Sequence, residues 1–157
     1  MVDTFFRNPV RKALGMIAIV LIALPTVAGD QQLVNKNSDN IAIEGYDTVA
    51  YFTAGRPVIG KSEFEHVWQD AQWRFSNASN RDMFAANPER FAPHYGGYCA
   101  MSMARGLVYK VDPEAWVIVK DKLYLNYSKQ YADEFAADPE PEVAKADTNW
   151  LTLGKVE

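Results

Sequence analysis

The chain opens with a basic stretch containing Arg7, Arg11 and Lys12, followed by an unbroken apolar run from Ala13 to Leu24 (ALGMIAIVLIAL). Pro25 ends the run, and Thr26-Val27-Ala28 places small residues where a signal peptidase cuts. The run is shorter than the ~20 residues that span a bilayer. Residues 1–28 therefore read as a cleaved signal peptide, with retention as an uncleaved N-terminal anchor as the alternative. Residues 29–40 (GDQQLVNKNSDN) are polar and read as a flexible linker. That leaves 41–153 as one domain.

Within the domain the hydrophobic period changes repeatedly. Ile41-Ala42-Ile43 suggests a short strand, Tyr46 to Thr53 a short helix or turn, and Gly55-Arg56-Pro57 a loop. Phe64, His66 and Trp68 alternate with Glu65 and Val67, and Trp73 and Phe75 flank Arg74, which predicts a hairpin turning at Gln69 to Ala71. Ser79-Asn80-Arg81-Asp82 has the form of a capping box for a helix running to Ala86. Asn87-Pro88 stops it and Pro88 opens a second short helix to Ala92. Trp116 to Lys120 and Leu123 to Tyr127 predict a second hairpin turning at Asp121-Lys122. Ser128 is expected to cap a helix running to Ala137, and a last helix to run from Pro141 to Trp150. Hairpins mixed with helices, without βαβ alternation, make the class α+β: a small antiparallel sheet built from hairpins and packed with short helices. No internal repeat is apparent in the letters.

Composition narrows the function classes. With 157 residues, 48% of them hydrophobic, the chain can bury one core. The net charge of −4 provides no basic footprint, so nucleic acid is not an expected partner. A nucleophile elbow, phosphate loop, zinc signature and dinucleotide fingerprint are all missing, which weakens hydrolase, kinase and dehydrogenase readings. An enzyme is not the expected answer, although chemistry at a single thiol stays open. If the leader is cleaved, the membrane is met only before cleavage and the domain is periplasmic.

Export gives weight to the single cysteine, Cys99. An unpaired thiol in an oxidising compartment is a reactive group, a metal ligand or half of an intermolecular disulfide; otherwise it is a buried, inert side chain. It sits in Pro93-His94-Tyr95-Gly96-Gly97-Tyr98-Cys99-Ala100-Met101-Ser102-Met103. The two glycines allow positive φ just before it. A helix beginning there would set free N–H groups beside the sulfur and favour the thiolate. Cys99, Met103 and His94 are ligand types that suit Cu(I). On a helix Cys99 and Met103 are neighbours at i and i+4, while Met101 reads as core filler. His94 could also serve as the base that activates the thiol, and His66, beside Phe64 and Trp68, ranks below it. Asp47 reads as a helix cap, and Tyr46, Tyr51, Tyr95, Tyr98, Trp68, Trp73 and Trp116 as core.

Several blocks in order carry a resemblance: Gly45-Tyr46-Asp47-Thr48-Val49-Ala50-Tyr51-Phe52, Phe75 to Asp82, Asn87 to Pro93, Gly96-Gly97-Tyr98-Cys99-Ala100, Asp112-Pro113 with Trp116, Leu123 to Tyr127, and Lys145 to Trp150. Together they resemble the exported YHS-domain proteins of bacteria over about Ile41 to Trp150. The resemblance implies a small metal-handling module for soft ions such as copper, with a metal ion or metal-handling proteins as partners. It also implies a functional chalcogen at Cys99, because some relatives have selenocysteine there. The cysteine pair near the start of shorter YHS domains is missing, so a complete thiolate cage does not carry over. The expected function is soft-metal binding through Cys99, His94 and Met103. The alternatives are a thiol redox protein using Cys99 and a non-catalytic interaction domain.

Overall fold

Paired residues in the left-handed region set where both hairpins turn: Gln69 and Asp70 (φ 51° and 54°) in the first, Lys120 and Asp121 (φ 49° and 60°) in the second. That backbone matches the right-handed twist of the flanking strands. The computed structural model describes residues 33–155, so the expected signal peptide lies outside the described residues. The first hairpin joins β1 (Lys61–Trp68) to β2 (Ala71–Phe75), the second β3 (Asp112–Val119) to β4 (Lys122–Asn126); each is a separate two-stranded antiparallel sheet. The helices are α1 (Ala50–Thr53), α2 (Ala78–Ala86), α3 (Pro88–Phe91), α4 (Ala100–Ala104), α5 (Lys129–Ala137) and α6 (Pro139–Leu153). The fold is α+β, as the patterning predicts. Among the described residues no helix is long and apolar enough to cross a membrane.

Several local expectations are corrected by hydrogen bonding. The second turn lies at Lys120-Asp121, one residue earlier than Asp121-Lys122. Helix α2 is capped by Asn77, whose Oδ1 accepts from Asn80 N at 2.9 Å, so Ser79 lies inside it. Helix α6 starts at Pro139. Ile41 and Ala42 form only isolated bridges, and Ile43 begins a left-handed turn with Glu44 and Gly45 (φ 49°, 54° and 84°). Residues 33–40 are tied down: Leu33 N donates to Gly154 O, Asn35 N to Gly96 O and Ile43 N to Asn35 O. Val34 is buried.

The larger correction is an internal repeat. From β1 through α5 each bound of the second half lies 51 residues after its counterpart: Lys61 and Asp112, Ala71 and Lys122, Ala78 and Lys129, Ala86 and Ala137. The match extends to defects and ends. Both hairpins shift register at the same place, between Lys61/Glu65 and between Asp112/Trp116. The 9-residue helices α2 and α5 are capped by Asn77 and Ser128 and end at Asn87 (φ −154°, ψ 75°) and Asp138 (φ −149°, ψ 78°). Each of those two residues precedes a proline. Upstream, the left-handed turn Ile43-Glu44-Gly45 matches Tyr95-Gly96-Gly97 (φ 56°, 59° and 79°), now 52 residues apart.

Each unit centres its core on the same ring pair. Trp73 and Phe84 lie 5.0 Å apart in the first, Tyr124 and Phe135 5.1 Å apart in the second. The units are not independent, since Leu123 and Leu125 of the second join the first core cluster. Gly97 belongs to the seam: a Cβ there would stand 2.2 Å from Ile43 Cδ1, on a backbone that L-residues avoid.

Candidate functional site

Cys99 is the N-cap of α4 and is fully buried. Its Sγ accepts two backbone hydrogen bonds, from Ser102 N at 3.4 Å within the helix and from Tyr127 N at 3.2 Å after β4. Its own N–H donates to Tyr109 O at 2.9 Å. Asn126 completes the setting: its Oδ1 accepts from Met101 N at 3.1 Å and lies 3.9 Å from Sγ. The Nδ2 of Asn126 is buried with no hydrogen-bond partner. An orphaned buried donor costs about 1–3 kcal/mol.

The repeat explains what this arrangement is built from. Gly45-Tyr46-Asp47 and Gly97-Tyr98-Cys99 occupy equivalent places, so Cys99 sits where the first unit has Asp47. The bonding matches. Asp47 N donates to Val58 O as Cys99 N donates to Tyr109 O. Asp47 Oδ2 accepts from Ser76 N at 2.8 Å as Cys99 Sγ accepts from Tyr127 N. Asp47 Oδ1 accepts from Val49 N at 3.0 Å and Ala50 N at 3.2 Å; in the second unit Asn126 Oδ1 takes Met101 N, the counterpart of Val49. Two carboxylate oxygens are thus replaced by one sulfur and one amide oxygen. A sulfur is a weaker and single acceptor, so the seat offers the thiol less bonding than a carboxylate receives.

The other expected site residues are placed as follows. Met103 lies one turn after Cys99, fully buried in the same cluster, and Asn149 Nδ2 holds its carbonyl at 2.8 Å. Met101 is also buried there. His94 is half-buried, with its ring 5.0 Å from Tyr124 and 5.7 Å from Tyr95. Burial, helped by Lys122 and opposed by Asp147, pulls its pKa down to about 4, so the imidazole is neutral at neutral pH. His66 packs edge-on against Phe84 at 6.0 Å in the first unit. Tyr95 donates to Asp147 Oδ1 at 2.9 Å, and burial together with that carboxylate raises its pKa. Replacing Tyr95 with phenylalanine is expected to cost about 1.5–3 kcal/mol in urea unfolding, the worth of one bond to a charged acceptor.

Among the described residues no three His, Cys, Asp or Glu side chains gather in a way that could hold a metal ion. The acceptor side of Sγ is occupied by backbone N–H groups, and the His94 ring lies against tyrosines. Sequence reasoning singles out Cys99 but misses Asn126 and Tyr127. The letters GYD and GYC, and the position of Tyr127 opposite Ser76, are the signal that could have found them. Compared with known proteins, the chain matches no family model, no curated protein and no solved structure.

Proposed function

We propose that the domain is a thiol-dependent redox protein whose reactive atom is Cys99 Sγ. One observation carries this reading: the sulfur occupies, with the same backbone donors, the seat that the first unit gives to the Asp47 carboxylate. If the seat were only structural, a carboxylate would fill it better, because it accepts more bonds there. Sulfur retained at a cost in hydrogen bonding is sulfur used for its chemistry. The resemblance to exported YHS proteins, some with selenocysteine at this place, supports the same atom.

The reaction suited to a lone sulfur in such a seat is attack on a hydroperoxide. Sulfur bonds the distal oxygen, the O–O bond breaks, and the leaving oxygen takes a proton to form water or an alcohol. An external thiol then attacks the sulfenic sulfur, forming a mixed disulfide and releasing water. Asn126 Nδ2 is a donor free for an oxygen added to the sulfur. Tyr109 and Tyr127, each about half exposed with rings 5.7 Å apart, hold the fully buried Cys99 through their backbones, so a peroxide reaches the sulfur only when this segment opens.

Soft-metal binding through Cys99, Met103 and His94 is the second reading, favoured by the neutral imidazole and the buried thioether. One experiment separates the two. The native protein is exposed to hydrogen peroxide with dimedone present, and in parallel titrated with Cu(I) against a chelator. The expected result is dimedone labelling of Cys99 about tenfold faster than in the urea-unfolded chain, with no stoichiometric Cu(I) uptake. Cys99→Asp should keep the fold within about 1 kcal/mol of the parent while losing all labelling. Faster labelling after unfolding would mark an inert core thiol, leaving an interaction domain. Tight one-to-one Cu(I) binding abolished in Cys99→Asp would establish the metal reading instead.

A further inference from the structure

The repeat places one cleft in the molecule twice. The larger, about 550 Å³, is lined by Trp68, Gln69, Trp73 and Glu89 of the first unit; the smaller, about 320 Å³, by their counterparts Val119, Lys120, Tyr124 and Glu140. The two differ in charge. In the second cleft Lys120 Nζ binds Glu140 Oε1 at 2.5 Å, and this contact lowers the pKa of the Glu140 carboxyl. In the first cleft glutamine replaces that lysine, and Glu89 forms no ion pair among the described residues. No lysine or arginine lines it.

Aromatic rings line the same cleft. Trp68 of the first hairpin and Trp150 of the second unit line it half-buried, while Trp73 and Tyr95, 5.7 Å and 5.9 Å from them respectively, are almost fully buried. Asp147, which lines both clefts, adds a second carboxylate. Aromatic faces with carboxylates at hand attract a cation whose hydration is weak, above all a methylated ammonium. In the second unit the Lys120 ammonium stands against the equivalent glutamate at the exposed lip of its cleft. We propose that the first-unit cleft binds a small organic ammonium ion, with its cationic head beside Glu89 in the position that Lys120 Nζ occupies in the second unit.

The backbone makes a clean test possible. Gln69 and Lys120 share the same left-handed conformation (φ 51° and 49°), so Gln69→Lys fits the turn as Lys120 does. Choline and its uncharged isostere 3,3-dimethylbutan-1-ol are titrated into the purified protein at fixed ionic strength, read by tryptophan fluorescence and calorimetry. Choline should bind saturably, about tenfold tighter than the alcohol. Glu89→Gln and Gln69→Lys should each weaken choline about tenfold at unchanged melting temperature, the first by removing the counter-charge and the second by supplying the cation internally. Equal binding of the two probes would show a merely apolar cleft and overturn the proposal. So would the absence of saturation by choline, or variants that bind it like the parent. None of these outcomes bears on Cys99, so failure here leaves the thiol reading standing.

Discussion

Replacing Asp47 with alanine is expected to lower the unfolding free energy by about 3–5 kcal/mol, the range for breaking a buried charged network. Asp47 is fully buried, and its two oxygens accept five hydrogen bonds: from Val49 N, Ala50 N, Ser76 N, Ser76 Oγ and Asn80 Nδ2, at 2.6–3.2 Å. Those donors belong to α1, to the residue after β2 and to α2, so one carboxylate joins three elements of the first unit. Alanine leaves the donors buried and unmatched, each at a cost that water cannot relieve. In a domain of this size the melting temperature should fall by roughly 10–20 °C. Asp47→Asn should lose less, because one oxygen remains. Asp47→Cys should also fall between, because sulfur fills the equivalent seat at Cys99. A drop of only a few degrees in Asp47→Ala would mean that the carboxylate is not the hub that the bonding describes, and would weaken the comparison with Cys99 as well.

How much of this was legible in the letters depended on whether the signal was local. The first hairpin followed from period-2 alternation, the second from two apolar runs flanking a two-residue turn, and the end of the helix before Asn87-Pro88 from the proline, because these are rules about adjacent residues. The turn at Lys120-Asp121 was misplaced by one residue because neither position is glycine, although both adopt φ above zero. The repeat escaped notice for a different reason. Its identical letters are short and far apart, Gly45-Tyr46 with Gly97-Tyr98 and Phe84-Ala85-Ala86 with Phe135-Ala136-Ala137. Elsewhere equivalent positions preserve a job and not a residue: Trp73 and Tyr124 fill one core slot, Asn77 and Ser128 one capping slot, Asp47 and Cys99 one acceptor slot. The shared bonding and backbone angles join these pieces into one repeat. The site suffered likewise. Cys99 stood out as a lone thiol beside two glycines, whereas Asn126 reads as an ordinary strand residue until the sulfur is found to have taken over half of a carboxylate's work.

A second large effect is expected on acidification, and it comes from His94. Its pKa is 6.5 when unfolded and about 4 in the folded protein, with burial the largest cause and Lys122 the next. At pH 7 the folded imidazole is neutral and only about a quarter of the unfolded ones are protonated, so His94 contributes little to the pH dependence there. As the pH falls below 6.5 the unfolded chain takes up a proton that the folded chain refuses, so stability drops steadily until the folded imidazole titrates near 4. A gap of that size corresponds to about 3 kcal/mol lost across the window. His94→Gln removes the linkage, and groups common to both proteins cancel in the comparison. Urea unfolding at pH 7 and at pH 4 should therefore show the parent losing about 3 kcal/mol more than the variant. The ring's contacts at 5.0 Å with Tyr124 and 5.7 Å with Tyr95 make glutamine somewhat destabilising at both pH values, which shifts the baseline and not the slope. Parallel pH profiles for parent and variant would show that the imidazole meets water freely in the folded state, contrary to its half-buried place between those rings.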